Sequence, residues 1–376
     1  MNRILLAPDK FKGSLTASQV AARLGRGIRR VDPDREITEL PVADGGDGTV
    51  DAAVAAGFDR REHTVTGPLG DPVTATVAVR GTTAVIEMAQ ASGLARSREP
   101  YRPMEATSRG TGELLRLVRD AGATDIILGV GGSACTDGGA GLIHALGVKL
   151  HDEEGKDIGL GGGELHRIAS IDATSTVAEW KNVSITLASD VTNPLLGPTG
   201  AATVFGPQKG ADDSAIVALE AGLRHYARKV AEYLGVDLSD RKGTGAAGGV
   251  GFAAQTFLGA RAVSGIDLLL DLVGFTSRLP GTGLVITGEG RLDDQTLHGK
   301  APMGVAQAAR ASNVPVYAVC GINDLDAAEA EKAGLEAVFP LTELEPDPDR
   351  SIATAGPLLE RLGENIATYL IEKEKP

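Results

Sequence analysis

Gly283-Leu284-Val285-Ile286, followed by TGEGRLDDQTLHGK at residues 287–300, decides how this chain folds. The apolar run reads as a short buried strand over 284–287. Behind it come glycines 288, 290 and 299 and the charged side chains Glu289, Arg291, Asp293, Asp294 and Lys300, with His298 among them. Glycine lets backbone come close to a bulky polar ligand, lysine and arginine neutralise it, and carboxylates hold a divalent cation or take a proton. A strand that ends in such a cluster matches the start of the chain, where Ile4-Leu5-Leu6 runs into APDKFKGS at 7–14.

Working outward, both ends of the sequence share one grammar. A helix is expected over 16–30, with Thr16 as cap, Gln19 at the capping-box position, and Val20, Leu24 and Ile28 at helical spacing. A second strand, 37–42, ends in Ala43-Asp44-Gly45-Gly46-Asp47-Gly48-Thr49, and a helix follows. After 284–287, a helix over 302–311 precedes strands over 315–320 and 338–341, and the chain closes with a helix over 351–372. These five strands, two from one end and three from the other, predict one parallel sheet.

The middle reads differently. Residues 63–66, 73–80 and 83–88 alternate as antiparallel strands do, with turns at Gly67–Pro72 and Arg80-Gly81. Apolar strands at 126–130 and 184–188, a helix near 108–121 and a long amphipathic helix over 213–234 follow. Gly243–Gly251 reads as a loop too rich in glycine to hold a regular element. The expected organisation is one α/β domain from residues 1–65 and 277–376, with a mixed α/β domain, 66–276, inserted into it and the cleft between them as the site.

Composition narrows the function classes. The chain has 376 residues, 42% of them hydrophobic, but only 3% aromatic, so the cores rest on Val, Leu, Ile and Ala. A net charge of −13 without a basic stripe argues against nucleic acid as a partner, though not against a small anion in a local Lys/Arg pocket. Cys135 and Cys320 are the only cysteines, too few for a cysteine zinc site. The start MNRILLAPDK is a poor signal peptide, and no stretch of about 20 apolar residues suggests a membrane span. The expectation is a cytoplasmic enzyme.

The candidate residues sit at strand ends. Lys10 and Lys12 suit phosphate or carboxylate binding, or are solvent-facing lysines. Asp9 follows a buried strand in a tight turn. Asp44 and Asp47 bracket two glycines, and either cap the next helix or form an acidic rim with Asp9. Gly131-Gly132-Ser133, followed by Asp137-Gly138-Gly139, is a nest-like loop that can offer backbone N–H groups to phosphate, with Ser133 or Thr136 adding a hydroxyl. It is neither GxGxxG nor GxxxxGK[ST]. Asp190 ends a buried strand, where it could orient a hydroxyl or accept its proton. Lys209, in FGPQKG, adds a positive charge in a tight turn. In the 287–300 cluster, Arg291 suits bidentate capture of a substrate carboxylate, beside Glu289 and Asp293. No GxSxG or HExxH occurs.

In order along the chain, APDKFKGSLTA (7–17), PVADGGDGT (41–49), TSRGTGEL (107–114), GVGGSACTDGGAG (129–141), ASDVTNPLLGPTGA (188–201), VFGPQKGA (204–211), GTGAAGG (243–249) and TGEGRLDDQTLHGK (287–300) resemble the type I glycerate kinases. The resemblance covers essentially the whole chain. It implies a discontinuous flavodoxin-like parallel-sheet domain with an inserted, restriction-enzyme-like mixed α/β domain. It also implies ATP and Mg²⁺-dependent phosphorylation of D-glycerate to 2-phosphoglycerate, with 3-phosphoglycerate as the alternative product, by a monomer or homodimer. In that light Asp190, Lys10 and Arg291 are the catalytic candidates. Lys12, Asp44, Asp47, Glu289 and Asp293 join Arg291 around the substrate. Gly131, Gly132, Ser133, Asp137, Gly138 and Lys209 face ATP, and Asp190 with Asp293 are candidates for Mg²⁺. The sequence has Asp47 and Cys135-Thr136 where a glutamate and a different pair are more familiar in this family. A reading from a different class, a nicotinamide-dependent hydroxy-acid oxidoreductase, lacks a dinucleotide fingerprint after the first strand.

Overall fold

The computed structural model describes residues 3–294, 296–298 and 300–374. Gly299 therefore lies outside the described residues, as does the side chain of His298. The strands in chain order are β1 (Arg3–Pro8), β2 (Glu36–Glu39), β3 (Asp59–Thr66), β4 (Pro72–Arg80), β5 (Thr83–Glu87), β6 (Asp125–Gly129) and β7 (Lys149–His151). They continue with β8 (Ser170–Asp172), β9 (Ser184–Ala188), β10 (Arg261–Val263), β11 (Leu284–Leu292), β12 (Val316–Asn323) and β13 (Ala337–Pro340).

The chain divides into two compact units. One comprises the chain up to Asp44, Asp51–Gly57 and the chain from Ile266; the other comprises Gly45–Val50 and Phe58–Gly265.

In the first unit the five strands predicted from the two chain ends form one sheet, in the order β13-β12-β11-β1-β2. Every pairing in it is parallel. Successive strand residues face opposite sides, and both sides are apolar. Leu5, Val285, Val316 and Ala318 pack with Val305, Ala306 and Ala309 of helix Ala301–Ala311. Ile4, Leu6, Leu284 and Ile286 pack with Val20, Leu24 and Ile28 of helix Ala17–Val31 and with Leu359, Leu362 and Ile366 of helix Ala355–Lys373. The Thr16–Gln19 capping box starts helix Ala17–Val31 as its sequence predicts.

One expectation changes here. The strand expected over 284–287 runs on through Leu292, so Glu289 and Arg291 lie within β11 and pair with Cys320 and Ile322 of β12. The glycines explain it. A Cβ on Gly288 would stand 2.0 Å from the Val319 carbonyl oxygen, and one on Gly321 would stand 2.5 Å from that of Gly290. Without side chains at 288 and 321 the two strands close up and pairing continues past the apolar run.

The second unit holds a six-stranded mixed sheet, β10-β9-β6-β5-β4-β3, and the two-stranded sheet β7-β8. The predicted alternation appears as the antiparallel set β3-β4-β5, while β5, β6, β9 and β10 run parallel. One continuous core, including Ile86, Leu128, Leu187, Leu115, Leu142, Leu223 and Tyr226, binds the sheet to its helices. The glycine-rich stretch expected as a loop is irregular through Gly249: Ala247, Gly248 and Gly249 are left-handed and kink the start of helix Ala246–Phe257, which is regular only beyond them. Two of these three are glycine, which makes the left-handed entry cheap. A Cβ on Gly248 would lie 2.1 Å from the carbonyl oxygen of Cys135, so backbone packs there where a side chain cannot.

Candidate active site

Two clusters of candidate residues form, one in each unit. In the parallel-sheet unit, the Asp9 amide donates to the Gly288 carbonyl at 2.8 Å, and the Thr287 hydroxyl donates to the Ala7 carbonyl at 2.9 Å. These bonds lock the end of β1 to β11 and fix where Asp9 sits. Asp9 is 5% exposed. Its Oδ1 accepts the Lys10 amide at 2.6 Å, with the Lys10 ammonium 3.7 Å from the same oxygen. Burial drives its pKa up to about 7; Lys10 opposes the rise, and the negative charges of Asp44 and Glu289 add to it.

Glu289 is also buried and raised by desolvation, against the Thr296 hydroxyl, which donates to Oε1 at 2.7 Å, and the Lys300 ammonium at 3.4 Å from Oε2. Lys300 reaches Asp293 too, at 3.3 Å. Desolvation works against the ionised form of Asp293, but its bonds from Lys300 and Thr296 outweigh it and hold its carboxyl below the usual range. Lys12 is exposed, and its backbone amide lies beside Gly290: a Cβ there would stand 3.3 Å from the Lys12 nitrogen. The structure thus brings Lys10, Lys12, Asp44, Glu289 and Asp293 to one end of the sheet. Arg291 turns away from them, with its guanidinium paired to Asp324 and 59% of its side chain exposed.

In the mixed-sheet unit, the segment from Gly45 to Gly48 packs on the ends of β6 and β9. A Cβ on Gly45 would stand 2.6 Å from the Ala188 carbonyl oxygen, and one on Gly131 would stand 2.5 Å from the Gly46 Cα. The Gly131 amide donates to the Gly45 carbonyl at 3.3 Å. Gly132 has φ of +72°, and a Cβ there would meet Asp47 Oδ1 at 2.5 Å. The carbonyl of Gly132 and the amide of Ala134 are paired with Leu94 and Ser92, but the Gly132 and Ser133 amides have no acceptor among the described residues. Two adjacent unpaired N–H groups in a turn with one left-handed residue have the geometry that can receive an anion.

Behind that loop lies a sealed polar layer. Asp137 is fully buried. It accepts from the Ser108 amide and hydroxyl, both at 2.8 Å, the Thr107 hydroxyl at 3.3 Å, and the amides of Gly139 and Gly141 at 3.0 and 3.2 Å. Lys209, 2% exposed, donates to the Cys135 carbonyl at 2.6 Å, and burial lowers its pKa. Gly138, at φ +65°, packs on the Tyr226 ring. Asp137, Gly138 and Lys209 therefore face inward and hold the loop, whereas Gly131 and Gly132 reach solvent and Ser133, 9% exposed, is itself buried. Asp190, exposed beyond the end of β9, accepts the Gly265 amide at 3.1 Å.

One carboxylate was missed by sequence reasoning. Glu87 ends β5 and is 3% exposed. Its Oε2 accepts the amides of Gly48 and Val50 at 3.0 and 3.2 Å. Burial raises its pKa to about 7, against the Val50 bond and with help from Asp47. The signal was present: Ala84-Val85-Ile86 before a carboxylate is the pattern that singled out Asp9 and Asp190. Lys300 and Thr296, which tie the β11 cluster together, carry no spacing rule that marks them.

The model of the glycerate kinase family matches residues 4–371. The chain is 44% identical over 372 residues to the glycerate 2-kinase of Escherichia coli (strain K12), covering 98% of each chain. It is 45% identical over 372 residues to a glycerate kinase of Bacillus subtilis (strain 168), covering 98% of this chain and 97% of that one. A crystal structure from Salmonella typhimurium LT2, described as a glycerate kinase 2, superposes with a TM-score of 0.85 at 43% identity, covering 99% of both chains.

Proposed function

The chain belongs to the glycerate kinase family, and from that premise we propose that it transfers the γ-phosphoryl group of ATP to the 2-hydroxyl of D-glycerate, giving 2-phosphoglycerate. The observation that carries the phosphate-binding part is the Gly131–Ser133 turn, with two amides lacking acceptors and a buried Asp137–Lys209 layer that fixes its shape. Phosphoryl transfer asks the protein mainly for positioning and charge stabilisation, and a preformed set of N–H donors supplies both.

In this reading Gly131, Gly132 and Ser133 bind the ATP phosphates, while Asp137, Gly138 and Lys209 act from behind by holding the turn. Lys10, Lys12 and Arg291 meet the glycerate carboxylate and the charge on the transferring group, with Arg291 exchanging its Asp324 partner for substrate. Asp44, Glu289 and Asp293 position Lys10, Lys12 and the substrate hydroxyls, and Asp47, beside Gly132, is the acidic candidate on the substrate from the other unit. The finer fold description belongs to the same proposal. The strand order β2-β1-β11-β12-β13 supports a flavodoxin-like first unit, and the mixed sheet a restriction-enzyme-like second one.

Mg²⁺ suits the donors present. Among the described residues no three His, Cys, Asp or Glu side chains converge as a metal cage. Mg²⁺ in kinases needs only one or two carboxylates beside the nucleotide phosphates. Asp190, with its exposed carboxylate, fits that role, whereas Asp293 is engaged by Lys300 and Thr296 and fits it less well. When bound, the ion neutralises charge on the phosphates.

The test is a coupled ADP-release assay across small hydroxy acids, followed by phosphorus NMR of the product. A signal from phosphate on C3 would replace the 2-phosphate assignment. Asp190→Asn should lower kcat at least tenfold and raise the Mg²⁺ requirement; near-normal turnover removes Asp190 from the site. Arg291→Ala should raise the glycerate KM strongly, and unchanged KM and kcat would free Arg291 of its role.

A further inference from the structure

The parallel sheet has one point at which its connections reverse. From β1 the chain moves outward to β2 on one side, and later returns to the other side of β1 at β11 before moving on to β12 and β13. In open parallel sheets, ligands bind outside the carboxyl ends of the strands at such a point. Here the two strands that flank it are β1 and β11; their mutual pairing ends at Pro8 and Gly288, and the next side chains are Asp9, just past β1, and Glu289, within β11.

These two carboxylates are not equivalent. Glu289 has both oxygens engaged, by Thr296 and by Lys300. Among the described residues, Asp9 is contacted only by Lys10, and only through Oδ1; Oδ2 receives no donor. Asp9 is also held rigidly, because its own amide is bonded to Gly288 across the reversal point. A buried carboxylate with one oxygen uncommitted, on a fixed backbone at the place where the topology puts a ligand, has the geometry of a proton acceptor. Asp190, by contrast, is exposed and already accepts the Gly265 amide.

We propose that Asp9 Oδ2 is the base that receives the proton of the glycerate hydroxyl during phosphoryl transfer. The role rests on the glycerate kinase reading above. As the glycerate oxygen bonds to the γ-phosphorus, its O–H bond breaks and the proton passes to Asp9. The bond from the γ-phosphorus to the β-bridging oxygen breaks with its electron pair, and ADP leaves. The charged groups around Asp9 suit the task. Lys10 stands beside it on its own loop, Asp44 follows β2, and Glu289 comes from β11 with Lys300 and Asp293 behind it. The two neighbouring carboxylates and burial keep its proton affinity near neutrality, where a base is most effective.

The experiment is the pH dependence of kcat/KM for glycerate at saturating MgATP, in wild type and Asp9→Asn. Wild type should gain activity with rising pH through a limb near 7. Asp9→Asn should lose about 10²–10⁴-fold in kcat, lose that limb, and keep its ATP KM within about threefold. Asp9→Asn that retains both turnover and the limb overturns the assignment. A second measurement does not need the variant: carbon NMR of ¹³C-carboxyl-labelled wild type should show an aspartate titrating near 7 that shifts when glycerate is added. If no aspartate titrates there, Asp9 is not the base. A wild type that releases no ADP with glycerate but does so with another hydroxy acid would instead overturn the glycerate reading, and the same pH profile on that acid would still judge Asp9.

Discussion

The buried Lys209 ammonium donates to the carbonyl oxygen of Cys135 at 2.6 Å, from the side of the glycine turn that solvent does not reach. A charged group is costly to bury unless it is paired. Its retention here, next to Asp137, ties a positive charge to the shape of the glycine turn. Lys209→Met should leave the carbonyl without a donor and destabilise the protein by about 1–3 kcal/mol. The ATP KM should rise several-fold and the glycerate KM much less. Thermal melts and steady-state kinetics check both, and an equal rise in the two KM values would argue against a turn-specific role.

Asp137 accepts hydrogen bonds from Thr107, Ser108, Gly139 and Gly141. Asp137→Asn would set an NH₂ group against some of these donors. A loss of about 3–5 kcal/mol is expected, seen as a lower urea midpoint at unchanged slope. A midpoint equal to that of wild type would mean the network contributes little.

Gly132 sits at φ +72°, with Asp47 Oδ1 where a Cβ would go. Gly132→Ala is exposed to both problems, yet it lies in a turn outside the core. The melting temperature should fall by only a few degrees, from a backbone cost of about 1–2 kcal/mol, while the ATP KM rises at least tenfold. Isothermal titration with a non-hydrolysable ATP analogue separates the two effects. Wild-type affinity would show that the turn does not touch phosphate.

Glu87 gives a pH signature. Its carboxyl rises to about 7 in the folded protein from an ordinary 4.5, so between those values the folded state holds the proton more tightly than the unfolded chain. Stability from this group is fully present below about 4.5 and is lost as pH rises to about 7, by roughly 3 kcal/mol. Glu87→Gln removes the titration. Its melting temperature relative to wild type should therefore be more favourable at pH 8 than at pH 5. A difference that does not change with pH would contradict the buried, raised carboxyl.

The parts of the fold written in local patterns were legible. Alternation marked β3, β4 and β5, helical spacing and a capping box marked Ala17–Val31, and the recurrence of strand-and-helix grammar at both ends foretold the five-stranded parallel sheet. What stayed hidden depended on partners distant in sequence. The extension of β11 through Leu292 exists because Gly288 and Gly321 let two strands approach, and no single segment shows that. The same holds for the site. Charge and glycine density picked out Asp9, Glu289 and Gly131–Ser133, but spacing could not tell that Lys209 and Asp137 face inward or that Arg291 turns to Asp324. Orientation is decided by tertiary packing, which overrides the meaning of a motif read alone.

The bond from Thr287 to Ala7 spans 280 residues. A ribosome releases this protein amino end first, so β1 and β2 emerge as a bare two-strand fragment, with β1 lacking its β11 neighbour. The mixed-sheet unit, whose long segment Phe58–Gly265 is uninterrupted, leaves the ribosome before β11 does. The first strand made is thus among the last to be satisfied, and until then its apolar edge is open to wrong partners. Ordering of the end of that sheet that carries Asp9 and Glu289 is accordingly a late event in the life of each new molecule. Nascent chains truncated before residue 284 would carry Asp9 without the Gly288 carbonyl that its amide bonds to.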